Sequence, residues 1–131
     1  MAEDKGKKNL VEIYKVGGVF YGVGFASLDG TVSKELDSKN PNKELRTRTM
    51  TGSAFLSIRC VDEKTCKGRI YNFYSGKNYP IKARLNNDVL ELKVDIIFAP
   101  TLRWEKLSGA KLEQIKQLRI DVKDVDLRMS E

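Results

Sequence analysis

The chain has 131 residues, 40% hydrophobic and 32% charged, with no histidine and a formal net charge of +6. That length suits one domain with one core, burying roughly two thirds of the surface the unfolded chain exposes, and the apolar share excludes a disordered chain. The missing histidine removes the commonest general base, the usual metal ligand and every Ser-His or Cys-His nucleophile pair, so no catalytic residue, cofactor or metal is expected.

No apolar stretch approaches the ~20 residues that span a bilayer as a helix, and the chain is read as not transmembrane. The start Met1-Ala2-Glu3-Asp4-Lys5 lacks the apolar centre of a signal peptide. Residues 1–9 are read as a disordered N-terminal tail, and 10–131 as a single domain.

Apolar residues then recur with period two, the spacing of strands. Leu10 to Val16 and Val19 to Leu28 flank Gly17-Gly18, a strong hairpin signal. In the second run Val19, Tyr21, Val23 and Phe25 share one face, and the small Gly22, Gly24 and Ala26 share the other, which suits a sharply bent strand. The polar stretch from Asp29 to about Thr49 reads as the longest surface connection, with a short strand near Val32 to Leu36. Ala54, Leu56, Ile58 and Cys60 alternate with Phe55, Ser57 and Arg59 as the next strand.

Cys60 and Cys66 bracket a polar loop. Two thiols without histidine make a poor zinc site, and their spacing is not that of a catalytic dithiol. They are read as a local disulfide across a hairpin loop, which would require an oxidising compartment; two unpaired thiols are the alternative. Strands follow over Gly68 to Tyr74, over Tyr79 to Leu85 and over Leu90 to Phe98, separated by Ser75-Gly76-Lys77 and Asn86-Asn87-Asp88. Ala99-Pro100 stops the third of these, and Thr101 to Leu107 resumes with Trp104. Ser108 suits a helix N-cap, and Leu112, Ile115 and Leu118 fall on one side of a helix over about 109–118. The tail alternates again at Ile120, Val122, Val125 and Leu127.

About seven strands in hairpin succession predict a mainly β fold, an antiparallel up-and-down meander that removes its edges by closing into a barrel. The C-terminal helix would plug or flank it; an open sheet curled over the helix is the alternative.

The run Gly68-Arg69-Ile70-Tyr71 through Ser75-Gly76-Lys77-Asn78-Tyr79 resembles a family of small exported bacterial proteins classed as a domain of unknown function, with a lipocalin-like barrel. Tyr21-Gly22, Asn40-Pro41, Leu45-Arg46-Thr47-Arg48, Gly52, the Leu90 to Val94 strand and Trp104 follow the same family pattern in order. The resemblance covers roughly residues 10–107. It implies a lipocalin-like barrel of about eight strands, and export to the periplasm or beyond, the signal peptide being absent from this chain. The chain departs from the pattern at Asn72-Phe73, where the family has Asp-Pro, at Asp95-Ile96-Ile97-Phe98, which replaces a glycine-rich segment, and after Leu107.

The expected function is non-enzymatic binding. With the alternating faces inward, Tyr21, Phe25, Leu56, Ile58, Tyr79, Ile81, Leu92, Val94, Ile96 and Trp104 would line a cavity for a small hydrophobic or amphipathic molecule, or fill it as a core. Arg46, Arg48 and Lys77 are candidate head-group contacts at the mouth. A filled barrel would make an envelope protein the partner instead. Tyr71, Phe73, Tyr74 and Tyr79 interleaved with Arg69 and Lys77 would suit nucleic acid, but eighteen acids dilute the field and no nucleic-acid partner is expected. Asp62 with Glu63, and Asp95 with Glu105, are the carboxylate pairs an enzyme could use, and nothing in their spacing brings them together.

Overall fold

The period-two runs pair in the order in which they occur. The computed structural model describes residues 2–4, 7–27, 29–62, 65–86, 89–94, 101–106, 113 and 116–129. Its strands are β1 (Ala2–Asp4), β2 (Lys7–Val16), β3 (Val19–Ser27), β4 (Ala54–Cys60), β5 (Cys66–Asn72), β6 (Lys77–Asn86), β7 (Val89–Val94) and β8 (Thr101–Glu105). They form one antiparallel sheet in sequence order, each strand hydrogen-bonded to its sequence neighbours. The sheet curls until β1 and β8 approach each other, with no ladder joining them among the described residues.

Residues 2–4 and 7–9, expected within a disordered tail, carry the first hairpin: Ala2 lies opposite Asn9 and Asp4 opposite Lys7. Ladder hydrogen bonds use the backbone, so an edge strand can add without apolar side chains of its own. The helix expected over about 109–118 falls mostly outside the described residues. Within them Glu113 is helical, and 3-10 turns run over Lys116–Leu118 and Val122–Asp124. The chain beyond Leu118 crosses the sheet as a strap. Asp126 N donates to Gly52 O (2.8 Å) and Ala54 N donates to Asp126 O (2.7 Å), so the tail's alternation yields one parallel bridge, Ser53 to Asp126.

Register decides which way each side chain points. Leu56 lies opposite Gly22 on one side and Ile70 on the other; Ile81 lies opposite Gly68 and Val94; Leu90 lies opposite Trp104. These residues share a face, and on it Leu56, Ile58, Ile81, Ala83, Leu92 and Trp104 make one buried cluster ringed by Phe20, Ile70, Leu90, Val94 and Leu102. Contact among residues from β3 to β8 requires that this face be the concave one. At full burial each large side chain here contributes roughly 2 kcal/mol before entropy costs.

The convex face has two smaller clusters beneath the strap. Leu10, Phe25 and Ala26 lie under Leu118 and Ile120; Val23, Ala54, Tyr71 and Met129 pack with Val125 and Leu127. A register shift after Gly22 leaves Phe55 unpaired between Ala54 and Leu56. Its ring touches both systems, 5.8 Å from Trp104 and 6.0 Å from Phe73. Between β4 and β5 the backbones approach so closely that a Cβ on Gly68 would lie 1.8 Å from the Ser57 carbonyl oxygen. That contact is the physical content of the glycine in the Gly-x-Ile-Tyr motif.

Candidate binding site

An up-and-down meander gathers alternate turns at each end. β2, β4, β6 and β8 finish at one end, at Val16, Cys60, Asn86 and Glu105, and β3, β5 and β7 finish at the other, at Ser27, Asn72 and Val94. At the first end the concave face runs out into solvent while still apolar: Ile13 is 42% exposed and Leu85 72%. Lys15 lies directly opposite Phe20, its Nζ 5.4 Å from the ring centroid, a cation–π distance. Cys60 and Cys66 face each other at the same end and are joined by a disulfide that closes the β4–β5 hairpin. The expected local pairing is therefore present.

Deeper in, the face closes. Leu56 and Leu92 have no exposed surface and Ile81 has 2%, which leaves no water-sized void against them. The concave face is thus an apolar mouth over a packed floor of Ile58, Ile81, Ala83, Leu92 and Trp104.

Polar groups gather instead at the opposite end, between the long loop, β5 and the strap. Asp37 is fully buried there. It accepts hydrogen bonds from the Tyr71 hydroxyl (2.8 Å), Asn40 Nδ2 (2.7 Å) and Arg48 Nε (3.2 Å). Arg48 also reaches Asp126 (3.4 Å) and donates to the Arg128 carbonyl, and Arg46 Nε donates to the Asn40 carbonyl (2.6 Å). The loop seats against the β5–β6 turn at Gly76. There φ is +71° and a Cβ would fall 2.2 Å from the Lys39 carbonyl oxygen, so a side chain is excluded on both counts.

Burial raises the Tyr71 hydroxyl well above the ordinary phenol range, and its hydrogen bond to Asp37 adds to that. The hydrogen bond from the Arg128 side chain holds the Asp126 carboxyl down at about 2. On β2 the Tyr14 hydroxyl donates to the Ile120 carbonyl and is pushed up to about 12, chiefly by burial and then by nearby Glu12. Glu12 itself pairs with Arg119 of the strap.

The residues expected to line a cavity separate into groups. Leu56, Ile58, Ile81, Leu92 and Trp104 come together in the concave cluster, Val94 packs against it, and Tyr79 is half-buried opposite Ile70 on the same face. Tyr21 and Phe25 lie elsewhere. Tyr21 packs on the convex side with the cluster around Val23, and Phe25 beneath Leu118 and Ile120. The reason is that Gly22, not Tyr21, faces Leu56: a Cβ there would come within 2.9 Å of Leu56 Cβ. The strap offers the larger residues apolar cover on the outside. Ile96 lies outside the described residues.

Of the expected mouth cations, Arg46 and Arg48 tie the long loop together as above, and Lys77 stands exposed opposite Asn72. Of the aromatic set considered for base stacking, Tyr71 is buried and meets Phe73 edge to face at 5.2 Å, Tyr79 is half-buried and Tyr74 is exposed. Asp62 accepts from the Thr65 amide (2.7 Å), while Glu63 and Asp95 lie outside the described residues. Among the described residues no group of three or more His, Cys, Asp or Glu could hold a metal ion. Sequence reading missed Ile13, Lys15 and Phe20 as mouth residues. Their signal was the alternation of Leu10 to Val16, which gives two faces but not which one is concave.

Residues 1–106 match the family described as "uncharacterized protein conserved in bacteria" (DUF2147). A solved structure, described as protein HP1028 from the human pathogen Helicobacter pylori belonging to the lipocalin family, is 33% identical with a TM-score of 0.75, over 94% of this chain and 89% of that one. No curated protein matches. The chain belongs to the DUF2147 family, and its curled antiparallel sheet is lipocalin-like.

Proposed function

We propose that the protein is a non-enzymatic, exported binding protein that holds a small hydrophobic or amphipathic molecule at the open end of the concave face. One observation carries the reading: the apolar concave face continues into solvent at Ile13 and Leu85. An apolar body would lie against Phe20, Leu85 and Leu90, above the floor made by Ile58 and Trp104. Lys15 is the concave-face cation at that end and would meet an anionic head group. The relative's description as a lipocalin and the Cys60–Cys66 disulfide support carriage outside the cytoplasm.

Native mass spectrometry of freshly purified protein, with denaturing spectra and organic extraction of the same sample, tests it. The expected result is a discrete extra mass that is lost on denaturation, and Trp104 emission that shifts when the extracted compound is added back. Trp104→Phe should abolish that shift. A clean apo mass with no response to fatty acids would instead support a filled barrel that docks an envelope protein, the reading favoured by the full burial of Leu56 and Leu92.

A further inference from the structure

The convex face of β4–β8 has a charge pattern that neither the fold nor the mouth requires. Register places Arg59 opposite Lys67, Lys67 opposite Lys82 and Lys82 opposite Lys93. Four cations thus stand side by side across four strands, all exposed. At the ordinary inter-strand spacing the row is about 14 Å long. Like charges directly opposite each other destabilise a sheet, so the row costs stability and calls for an anionic partner.

The flanking residues reinforce it. Arg69 lies on the same face beside Lys67, and Arg84 and Arg103 flank Glu91 at 2.9 and 3.4 Å. With Glu105, this face of β4–β8 carries seven cations and two acids, a surplus of five in a chain whose net charge is +6. Two shallow grooves of about 620 and 600 Å³ meet at Lys67, the first lined also by Arg59 and Arg69, the second by Lys82, Lys93 and Arg103.

The end of the sheet nearest the row is tipped with apolar side chains. Val61, in the β4–β5 turn just beyond Arg59 and Cys60, is 82% exposed, and Val16 is exposed at the β2–β3 hairpin, opposite Val19 on the same face. Asp62 sits among them, bonded to the Thr65 amide. Cations beside protruding aliphatic tips match a bilayer surface, where basic residues meet anionic head groups and apolar ones enter the interface. Nucleic acid would want exposed aromatic stacking faces along the row, whereas the convex aromatics beside it, Tyr21 and Tyr71, are packed into the cluster around Val23.

We propose that this face docks the protein on an anionic lipid bilayer, through Arg59, Lys67, Lys82 and Lys93, with Val61 and Val16 entering the interface. The proposal is independent of whether the concave mouth holds a ligand. Flotation of the full oxidised chain with phosphatidylcholine vesicles, with and without phosphatidylglycerol, tests it. Binding is expected only with phosphatidylglycerol, and should fall as salt rises. Each cation is worth about fivefold in partition, so the Lys82→Gln/Lys93→Gln variant should lose about 25-fold. Val61→Ser/Val16→Ser should weaken the salt-resistant part of binding. Near-UV circular dichroism of the variants should match the parent, since all four positions are exposed. No binding to phosphatidylglycerol vesicles at low salt, or equal binding by the lysine variant, would overturn the proposal. So would a preference for a single-stranded oligonucleotide over vesicles.

Discussion

The concave face and the loop-bearing end of the convex face belong to one sheet yet are held by different physics. On the concave face Leu56, Ile81, Leu92 and Trp104 are buried against each other by contacts that depend on volume and hardly on direction. On the convex side Asp37, Asn40, Arg48 and Tyr71 form a buried network in which each distance and each donor matters. The first kind of packing tolerates exchange of one aliphatic residue for another. The second tolerates almost none, because a lost partner strands a charge out of water. Of the motifs that carry the family resemblance, Asn40, Leu45 to Arg48, Tyr71 and Ser75 to Lys77 lie in or beside the second region, while Leu90 to Val94 and Trp104 lie on the concave face. What the first group encodes is the anchoring of the long loop.

The largest expected effect breaks the network without changing its shape. Asp37→Asn keeps volume but leaves Arg48 buried beside a neutral amide, and should cost about 3–5 kcal/mol in urea unfolding. A loss below about 1 kcal/mol would mean that Asp126 alone neutralises Arg48. On the concave face Leu92→Ala should cost about 2–5 kcal/mol, whereas Leu92→Met should cost less than about 1.5 kcal/mol. If Leu92→Met proved as damaging as Asp37→Asn, the contrast between the regions would fail. Reducing Cys60–Cys66, which closes a short loop at the mouth end, should cost about 2 kcal/mol, add two protons of mass and leave the network intact.

Much of this was legible because strands announce themselves. The alternation of Ala54 to Cys60 and Leu90 to Val94 predicts their burial, and the turns at Gly17-Gly18 and Ser75-Gly76-Lys77 fall where the structure has them. The facing of β3 was not legible: alternation defines two faces, and only the strap's position makes Tyr21 and Phe25 convex. Arg46 and Arg48 looked like free loop cations because the partner of Arg46, the Asn40 carbonyl, and one partner of Arg48, Asp37, lie inside a polar stretch, and the other, Asp126, lies about eighty positions away. The cationic row was equally hidden. Its members are separated in sequence by other residues and become a line only once register is known.

The smallest expected effects are pH-dependent and fall on the strap. The folded Asp126 carboxyl titrates at about 2 against an ordinary 3.8. Its contribution to stability is therefore fully present above about pH 4 and is lost as pH falls through about 2. The Tyr14 hydroxyl behaves oppositely, titrating at about 12 against 10, so its contribution is present below about pH 10 and is lost as pH rises through 12. Amide exchange reads the acid side through the strap's attachment, because Ala54 N–H donates to the backbone carbonyl of Asp126. Between pH 4 and 2 the Ala54 amide should lose protection before the amides of Leu92 and its neighbours do. Asp126→Asn should remove that difference, since an amide does not titrate. Simultaneous loss at both places would show that the strap and the concave cluster unfold as one unit, and that the two faces differ in chemistry but not in cooperativity.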